Sequence, residues 1–282
     1  MASTETDSIA KLYDESFDKY AQSNQGGAQN ATPGGMGAVR MCVETPSFLK
    51  AVGNIQGLRV LDAGCGEGNY SRTYRKEKGA AKVVGVDISA GLVAAAVERE
   101  ERERLGIQYG TLDLTKRDER LVGQFDFVAS TMVLMHLPTR EALETAARNL
   151  YAYIDPKTGG RLLAEFVQCE FDVTERGDAW EPRYGWYWSK PANGRTYDDG
   201  EHVDVDITFD PKVGPIHLTC HMWRKQTYEA AFKSAGFTNV RWTKPELFPE
   251  NVEKLGLTND YFEPFVRLGP IWILSAEKRP TV

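Results

Sequence analysis

The sequence predicts an α/β fold built on a doubly wound, mostly parallel sheet. Three observations lead to this prediction: short apolar segments recur between residues 58 and 166, helical segments separate most of them, and a glycine-rich turn follows the first. The segments predicted as strands are 58–61, 83–86, 107–109, 125–129 and 161–166. Strands that alternate with helices in this way are typical of parallel sheets, in which ligands bind beyond the carboxyl ends of the strands.

The composition excludes several classes of protein. The chain has 282 residues, a formal net charge of −6 and 41% hydrophobic residues, which is typical of a folded protein and not of a disordered one. Its four cysteines form no C-x-x-C pair, so we expect a reduced, cytoplasmic setting. We expect neither a membrane span nor a signal peptide, because no apolar run approaches about 20 residues and the first residues are polar. The acidic balance disfavours a nucleic-acid partner, and we expect a monomer or homodimer.

Two blocks lie outside the alternating pattern. Residues 1–57 are predicted to form a helix, a glycine-rich loop over 24–37 and a second helix, and residues 167–216 form an insertion rich in aromatic and acidic residues. The later predicted elements are a strand at 217–222, a helix at 227–235 and strands at 240–242 and 271–274. We therefore predict one domain with a core of 58–166 and 217–276, and we expect both extra blocks to cover the same end of the sheet.

The glycine-rich turn after the first strand is the first candidate binding site. Glycines at every second position let the backbone turn sharply and approach a ligand, and the helix that follows offers free N–H groups. Its third glycine comes one place too early for a dinucleotide-binding turn, and the carboxylate of Asp62 would repel a pyrophosphate but suits an ammonium group. The candidate residues are Asp62, Gly64, Cys65, Gly66 and Gly68. A structural turn without a ligand is the alternative.

Two more carboxylates follow the next two strands. Asp87, followed by Ile88, ends the second strand at the place where a carboxylate accepts hydrogen bonds from a ribose diol. Asp113 follows the third strand, and the flanking Leu112 and Leu114 could wall a flat base. The alternatives are that Asp87 only caps the next helix and that Asp113 only shapes a turn.

Four motifs occur in the order typical of one family. They are Val-Leu-Asp-Ala-Gly-Cys-Gly-Glu-Gly (60–68), Val-Val-Gly-Val-Asp (83–87), Phe-Asp-Phe-Val-Ala-Ser-Thr-Met-Val-Leu-Met-His-Leu (125–137) and Gly-Gly-Arg-Leu-Leu-Ala-Glu (159–165). With these motifs the chain resembles the class I S-adenosylmethionine-dependent methyltransferases, especially those that act on small molecules. The resemblance implies a Rossmann-like sheet of seven strands in which 271–274 is the antiparallel strand.

The resemblance also implies S-adenosylmethionine as the cofactor. Its methionine part would lie at the glycine turn, its ribose at Asp87 and its adenine near Asp113. The segment 13–20 resembles the helical lid of many small-molecule enzymes. There Tyr13 or Tyr20 would close over the cofactor, and Arg40 could reach its carboxylate.

Three residues are candidates for the general base. His136 follows the fourth strand and either takes a proton or walls the cofactor pocket; Glu165 ends the fifth strand and is either a base, a substrate anchor or a structural carboxylate. His221 could be a pocket base or a strand histidine with a structural partner. Ser130 and Thr131 lie where the family places the cofactor-facing end of strand four. They replace the Asn/Asp-Pro-Pro motif of enzymes that methylate nucleobase amines.

The insertion offers candidates for the acceptor pocket. Its aromatic side chains either pack the insertion onto the sheet or line the acceptor site, and we expect both uses. The candidates for substrate binding are Trp180, Tyr184, Trp186 and Trp188. We expect no metal, because the nearby His-x-x-Cys-His at 217–221 has no second cluster to complete a zinc site.

The sequence thus predicts transfer of a methyl group to oxygen or nitrogen of a small molecule. Two alternatives stay open: a methyltransferase acting on RNA or protein, and a protein that binds S-adenosylmethionine without methylating. The acidic balance disfavours the former, and motifs for cofactor binding alone do not exclude the latter.

Overall fold

The computed structural model describes residues 9–14, 33–168 and 170–281. The helices are α1 (9–14), α2 (Met36–Val39), α3 (Thr45–Val52), α4 (Asn69–Lys76), α5 (Ala90–Glu103), α6 (Arg140–Tyr153), α7 (Trp180–Tyr184), α8 (Lys225–Ala235), α9 (Pro249–Lys254) and α10 (Glu263–Leu268). A π-helical segment (Arg40–Glu44) joins α2 to α3, and 3₁₀ turns lie at Leu134–His136, Val173–Arg176 and Asn259–Tyr261. α1 is the first part of the predicted N-terminal helix; Tyr20 and residues 24–32 of the loop predicted over 24–37 lie outside the described residues.

Ten strands form two sheets. They are β1 (Arg59–Ala63), β2 (Lys82–Asp87), β3 (Gln108–Thr111), β4 (Phe127–Thr131), β5 (Gly160–Val167), β6 (Trp186–Trp188), β7 (Glu201–Ile207), β8 (Ile216–Met222), β9 (Thr238–Thr243) and β10 (Ile271–Lys278). The main sheet has seven strands in the order β3-β2-β1-β4-β5-β10-β9, and β10 runs antiparallel to both of its neighbours. The predicted α/β sheet with one antiparallel strand is therefore confirmed.

Helices cover both faces of the main sheet. On one face α6 and α8 bury Leu143, Ala147 and Phe232, and on the other α3 and α4 bury Phe48 and Tyr74. The apolar spacing along α6 is helical, and the Thr139 hydroxyl accepts from the Ala142 N–H to cap its first turn at 3.1 Å. Both faces of the parallel strands are therefore buried, which leaves the strand ends as the place for a ligand.

The small sheet corrects one expectation. β6, β7 and β8 form an antiparallel sheet, with β7 in the centre. The predicted return to the main sheet at residue 217 is wrong, because β8 pairs with β7 along its whole length and the insertion continues to Met222. Alternate side chains of β8, including Leu218 and Cys220, are buried, which is the pattern of a strand. The sequence shows this pattern, but it does not show with which strand β8 pairs.

Among the described residues, no helix is both long and apolar enough to cross a membrane.

Candidate active site

A cavity opens at the carboxyl ends of β1, β2 and β4 and reaches under the small sheet. One side, the loop end, is formed by the glycine turn and by the residues that follow β2 and β3; the other, the insertion end, is formed by α2, the turn after β4 and the small sheet. Residues at the loop end include Gly64, Cys65, Gly66, Asp87, Ile88, Leu112, Asp113 and Leu114. Residues at the insertion end include Met36, Met132, Met135, Trp186, Ile207, Phe209 and Leu218.

The glycine turn owes its shape to left-handed backbone at three positions. The φ angles of Gly64, Gly66 and Gly68 are 85°, 54° and 82°. A Cβ on Gly64 would collide with the side chain of Val133, and one on Gly68 would collide with Tyr109. A Cβ on Gly66 would meet nothing within 4 Å, so this backbone faces the open cavity. Gly68 does not line the cavity and serves packing instead.

Asp62 stands behind the turn. It is 1% exposed and does not line the cavity, and its carboxylate accepts a hydrogen bond from the Ser71 hydroxyl at 2.5 Å. Burial raises its pKa to about 7. The carboxylate predicted to meet an ammonium group therefore ties the end of β1 to α4 and is separated from the cavity.

Asp87 lies in the cavity wall at the end of β2. Its carboxylate accepts from the Gly66 N–H at 2.8 Å and from the Ser89 N–H at 3.0 Å, and burial raises its pKa. Ser89 caps α5, since its hydroxyl accepts from the Leu92 N–H at 3.1 Å. Asp87 thus fixes the glycine turn and still presents carboxylate lone pairs to the cavity.

Asp113 lies in the wall between Leu112 and Leu114, as predicted from their order in the chain. It accepts from the Thr115 N–H at 2.9 Å and from the Thr115 hydroxyl at 2.7 Å. These bonds shape the turn after β3, and the two leucines and the carboxylate all line the cavity. The turn-forming alternative is therefore observed, together with a position at the cavity.

α1 closes the cavity through two successive residues. The Asp14 carboxylate accepts from the Gly91 N–H at 3.1 Å and from the Ser89 hydroxyl, at the start of α5. The Tyr13 hydroxyl lies 2.9 Å from Nε2 of His136, and both Tyr13 and His136 line the cavity. α1 therefore bridges the loop end and the turn after β4.

His136 has a defined protonation state. Its Nδ1 lies 2.7 Å from the Thr219 carbonyl, which can only accept, so Nδ1 carries the proton and Nε2 accepts from the Tyr13 hydroxyl. Burial lowers the pKa of His136, so the ring is neutral at pH 7. Nε2 therefore keeps its lone pair, which accepts a hydrogen bond from the Tyr13 hydroxyl at the cavity wall.

The four aromatic side chains predicted to bind the substrate lie in different parts of the structure. Trp186 lines the insertion end, while Tyr187 points outward and Trp188 lies in the insertion's core. Trp180 stacks on Phe265 with ring centroids 5.5 Å apart. The Tyr184 hydroxyl donates to the Tyr261 carbonyl at 2.7 Å. Trp180, Tyr184 and Trp188 therefore lie away from the cavity, because they are needed to pack the small sheet.

The other two predicted base candidates also lie outside the lining. Glu165 is fully buried below the cavity wall, and burial raises its pKa well above the usual range. His221 packs between His202 and Trp223, at centroid distances of 5.3 and 6.3 Å, and burial lowers its pKa to about 4. Of the three candidates, the structure brings only His136 to the cavity.

The remaining predicted cofactor residues differ in their position, and several cavity residues were not predicted. Thr131 and Arg40 line the wall, whereas Ser130 is buried behind it. Glu44, Phe209 and Leu218 were missed, because nothing in their local sequence shows which distant segment they face. Within 9–14, 33–168 and 170–281, no three His, Cys, Asp or Glu side chains are grouped to hold a metal.

Sequence comparison identifies the segment around the glycine turn. Residues 60–157 match the family model described as a methyltransferase domain. The chain is 33% identical over 120 residues to the ubiquinone biosynthesis O-methyltransferase of Coxiella burnetii, a match that covers 42% of this chain and 47% of that protein. The aligned part thus spans about half the length of that curated relative.

Structural comparison extends the likeness over most of the chain. An S-adenosylmethionine-dependent methyltransferase from Mesorhizobium loti superposes with a TM-score of 0.55, 22% identity and coverage of 84% of this chain and 97% of that one. The [4+2]-cyclase SpnF superposes with a TM-score of 0.59, 16% identity and coverage of 97% and 96%. At these identities the likeness shows the fold. Residues 60–157 thus match a methyltransferase domain, and the seven-stranded sheet has the fold of solved S-adenosylmethionine-dependent methyltransferases.

Proposed function

We propose that this protein is an enzyme that transfers a methyl group from S-adenosylmethionine to oxygen or nitrogen of a small-molecule acceptor. One observation carries the proposal: a single cavity joins the glycine turn and two carboxylates to an apolar compartment, with the Tyr13–His136 pair in its wall. The cofactor's adenosine and the acceptor would thus share one enclosed space.

The loop end fits S-adenosylmethionine. Gly66 leaves open space where any side chain would intrude, so a ligand can approach the backbone there. The Asp87 carboxylate suits the ribose diol, and the wall formed by Leu112, Asp113 and Leu114 suits the adenine. When bound, the cofactor supplies an electrophilic methyl group on a sulfonium. The protein's own part is to bind, orient and exclude water.

The insertion end fits the apolar body of an acceptor. Its wall is formed largely by methionine, leucine, isoleucine and aromatic side chains, which favour an apolar molecule and a dry reaction site. Arg40 stands at its margin, with its guanidinium 5.4 Å from the Phe209 ring centre. We therefore expect an acceptor that presents one polar atom on a mainly apolar skeleton.

In the proposed reaction, the Tyr13–His136 pair removes the acceptor's proton. A hydroxyl acceptor loses its proton to the Tyr13 oxygen while Tyr13 passes its own proton to Nε2 of His136, which becomes imidazolium. The Thr219 carbonyl stabilises that cation through the Nδ1 proton. An uncharged amine acceptor needs the same removal of one proton after its new bond has formed.

The enclosed site supports a small molecule over a macromolecular acceptor. α1 lies across the cavity and contacts both of its sides, which leaves little room for a folded RNA or protein. The net charge of −6 adds repulsion against nucleic acid. A non-methylating role in the same fold is the remaining alternative, and SpnF, described as a cyclase, has a similar fold.

The proposal is tested with S-adenosylmethionine labelled on its methyl group. We expect calorimetry to show binding of S-adenosylhomocysteine, and we expect label to move from the cofactor into a small apolar compound when the enzyme is incubated with a metabolite extract. Label in RNA or protein would contradict the acceptor class. Binding without transfer to any fraction would contradict methylation.

A further inference from the structure

Two charged side chains, one partly and one fully buried, line the cavity between its insertion end and its loop end. Arg40 and Glu44 lie one helical turn apart, with Arg40 Nε 3.5 Å from Glu44 Oε1. Both line the cavity, and Glu44 is only 4% exposed. The neighbouring Tyr70 hydroxyl donates to Thr45 Oγ1 at 3.4 Å, which joins this segment to the first turn of α4. Opposite charges are thus presented side by side where the glycine turn enters its helix.

Glu165 lies next to this pair and has no partner in the described structure. It is wholly buried, and neither carboxyl oxygen makes a hydrogen bond with any described residue. It interacts electrostatically with Glu44 and Arg40. Thr131, its neighbour in the β4–β5 register, lines the cavity, and its hydroxyl likewise has no partner among the described residues. Glu165 does not line the cavity, whereas Thr131 does; because buried polar groups almost always have partners, the Thr131 hydroxyl indicates a ligand group at this part of the wall.

The charges of Arg40, Glu44 and Glu165 specify what kind of group that is. Burial and the nearby Glu44 raise the pKa of Glu165 well above its usual range, so its carboxyl keeps a proton. Burial also raises the pKa of Glu44, but Arg40 opposes that rise, and the 3.5 Å contact between the two side chains makes them an ion pair of one cation and one anion. A ligand with a single charge would leave one of these two largely buried charges badly matched, which is costly. A zwitterion with an ammonium and a carboxylate on one carbon matches both.

The other carboxylates nearby are engaged elsewhere. Asp62 is bonded to Ser71 and does not line the cavity. Glu67 lines it, but accepts from the Asn69 amide at 3.0 Å and lies 3.7 Å from the Arg99 guanidinium. Glu44 is therefore the carboxylate best placed beside Arg40 to meet an ammonium group.

We propose that Glu44 binds the α-ammonium group of S-adenosylmethionine, beside Arg40, which the family resemblance already implies as the partner of the α-carboxylate. The two side chains bind the amino-acid head of the cofactor and position its methionine part beside the glycine turn. This inference rests on the proposed function, because it requires S-adenosylmethionine as the ligand.

The test compares two nucleosides that differ in the amino-acid head. S-Adenosylhomocysteine carries the head, whereas 5′-methylthioadenosine keeps the adenosine and a thioether without it. Calorimetry on Glu44→Gln should show the Kd of S-adenosylhomocysteine rising by about 10- to 150-fold, the range for a charge-assisted hydrogen bond. The Kd of 5′-methylthioadenosine should stay unchanged. The matched control is Glu246→Gln, which removes an exposed carboxylate paired with Lys50 and should change neither Kd.

Other outcomes would overturn the assignment. Equal weakening of both nucleosides by Glu44→Gln would show a structural defect, and unchanged S-adenosylhomocysteine binding with a raised acceptor KM would place Glu44 against the acceptor. Glu165→Gln, which mimics a protonated carboxyl, should leave the Kd of S-adenosylhomocysteine within about threefold; a loss as large as that of Glu44→Gln would make Glu165 the anion. If the wild-type protein bound neither nucleoside, the proposed function itself would fail.

Discussion

The two ends of the cavity are built in different ways. The loop end comes largely from one continuous stretch of the chain, between Gly64 and Leu114, where each strand runs directly into its binding loop. The insertion end brings together α2, the turn after β4 and strands β6 to β8, segments up to about 180 positions apart (Met36 to Leu218). Local backbone geometry therefore shapes the loop end, and long-range packing shapes the insertion end.

This difference explains which parts of the site could be predicted from the sequence. The positive φ angles that the glycine turn requires and the carboxylates at strand ends are local features, so Gly66, Asp87 and Asp113 were found at the cavity as predicted. The partner of a strand is not local, so β8 was assigned to the wrong sheet. The outward or inward direction of Trp180 and Trp188 depends on the helices packed over them, and three of the four predicted acceptor aromatics became core residues.

The same reasoning applies to the charged residues. Glu165 ends an apolar strand and invited a catalytic role, but its burial below the wall depends on α3 and α4 covering that face. Glu44 lies in no motif and became part of the wall only through the π-helical turn that places it beside Arg40. Both outcomes follow from tertiary packing, which a single sequence does not encode in any short pattern.

The largest expected effect tests the contact that joins the two ends. His136→Gln removes the proton acceptor and should lower kcat for a hydroxyl acceptor by about 10²- to 10⁴-fold, with cofactor affinity retained. In the wild-type enzyme, kcat/KM should fall as the pH drops through the lowered pKa of His136, that is, below the ordinary histidine value of about 6.5, because the ring must be neutral to accept a proton.

Tyr13→Phe gives the matched control, since it keeps the ring over His136 and removes only the relay hydroxyl. It should lower kcat and preserve the acid limb of the pH profile. A wild-type rate independent of pH between 4 and 7, or full activity of His136→Gln, would show that the pair is only a wall.

The next effect probes the local geometry of the loop end. Gly64→Ala should lower the free energy of unfolding by about 2–4 kcal/mol, because the residue has a positive φ and its Cβ would strike Val133. Gly66→Ala has the same kind of backbone strain but open space around its Cβ, so it should cost about 1–2 kcal/mol and mainly weaken cofactor binding. Chemical denaturation and calorimetry check the two effects. If both variants lose the same free energy of unfolding, the Val133 side chain moves aside at little cost.

A third experiment sharpens the role of Asp87 within the loop end. Asp87→Ala should weaken S-adenosylhomocysteine binding by about 1.5–3 kcal/mol, through loss of the ribose contact and of its bond to the Gly66 N–H. The 2′-deoxyribose analogue separates the two causes. The wild-type protein should prefer the natural ribose, and Asp87→Ala should lose that preference. If Asp87→Ala kept the full preference for the natural ribose, Asp87 would only stabilise the glycine turn and would not contact the ribose.

The smallest effect distinguishes wall from core at the insertion end. Trp186→Phe and Trp188→Phe make the same change on the same face of β6, but only Trp186 lines the cavity. Each should lower the free energy of unfolding by about 1 kcal/mol. Only Trp186→Phe should raise the acceptor KM, by severalfold. Steady-state kinetics and thermal melts on the pair decide this, and equal KM values for both variants would remove Trp186 from the acceptor site.

The bond from Thr219 to His136 bears on redesign of the enzyme. The strand that carries this carbonyl belongs to the insertion, yet it determines which nitrogen of a residue on the main fold holds a proton. Under the proposed function, an insertion grafted from a methyltransferase to change the acceptor would therefore also have to supply a carbonyl at this point. Without it the imidazole could take the other tautomer and lose its free lone pair toward Tyr13. Under the proposed function, a change in the insertion therefore alters both the choice of acceptor and the removal of its proton.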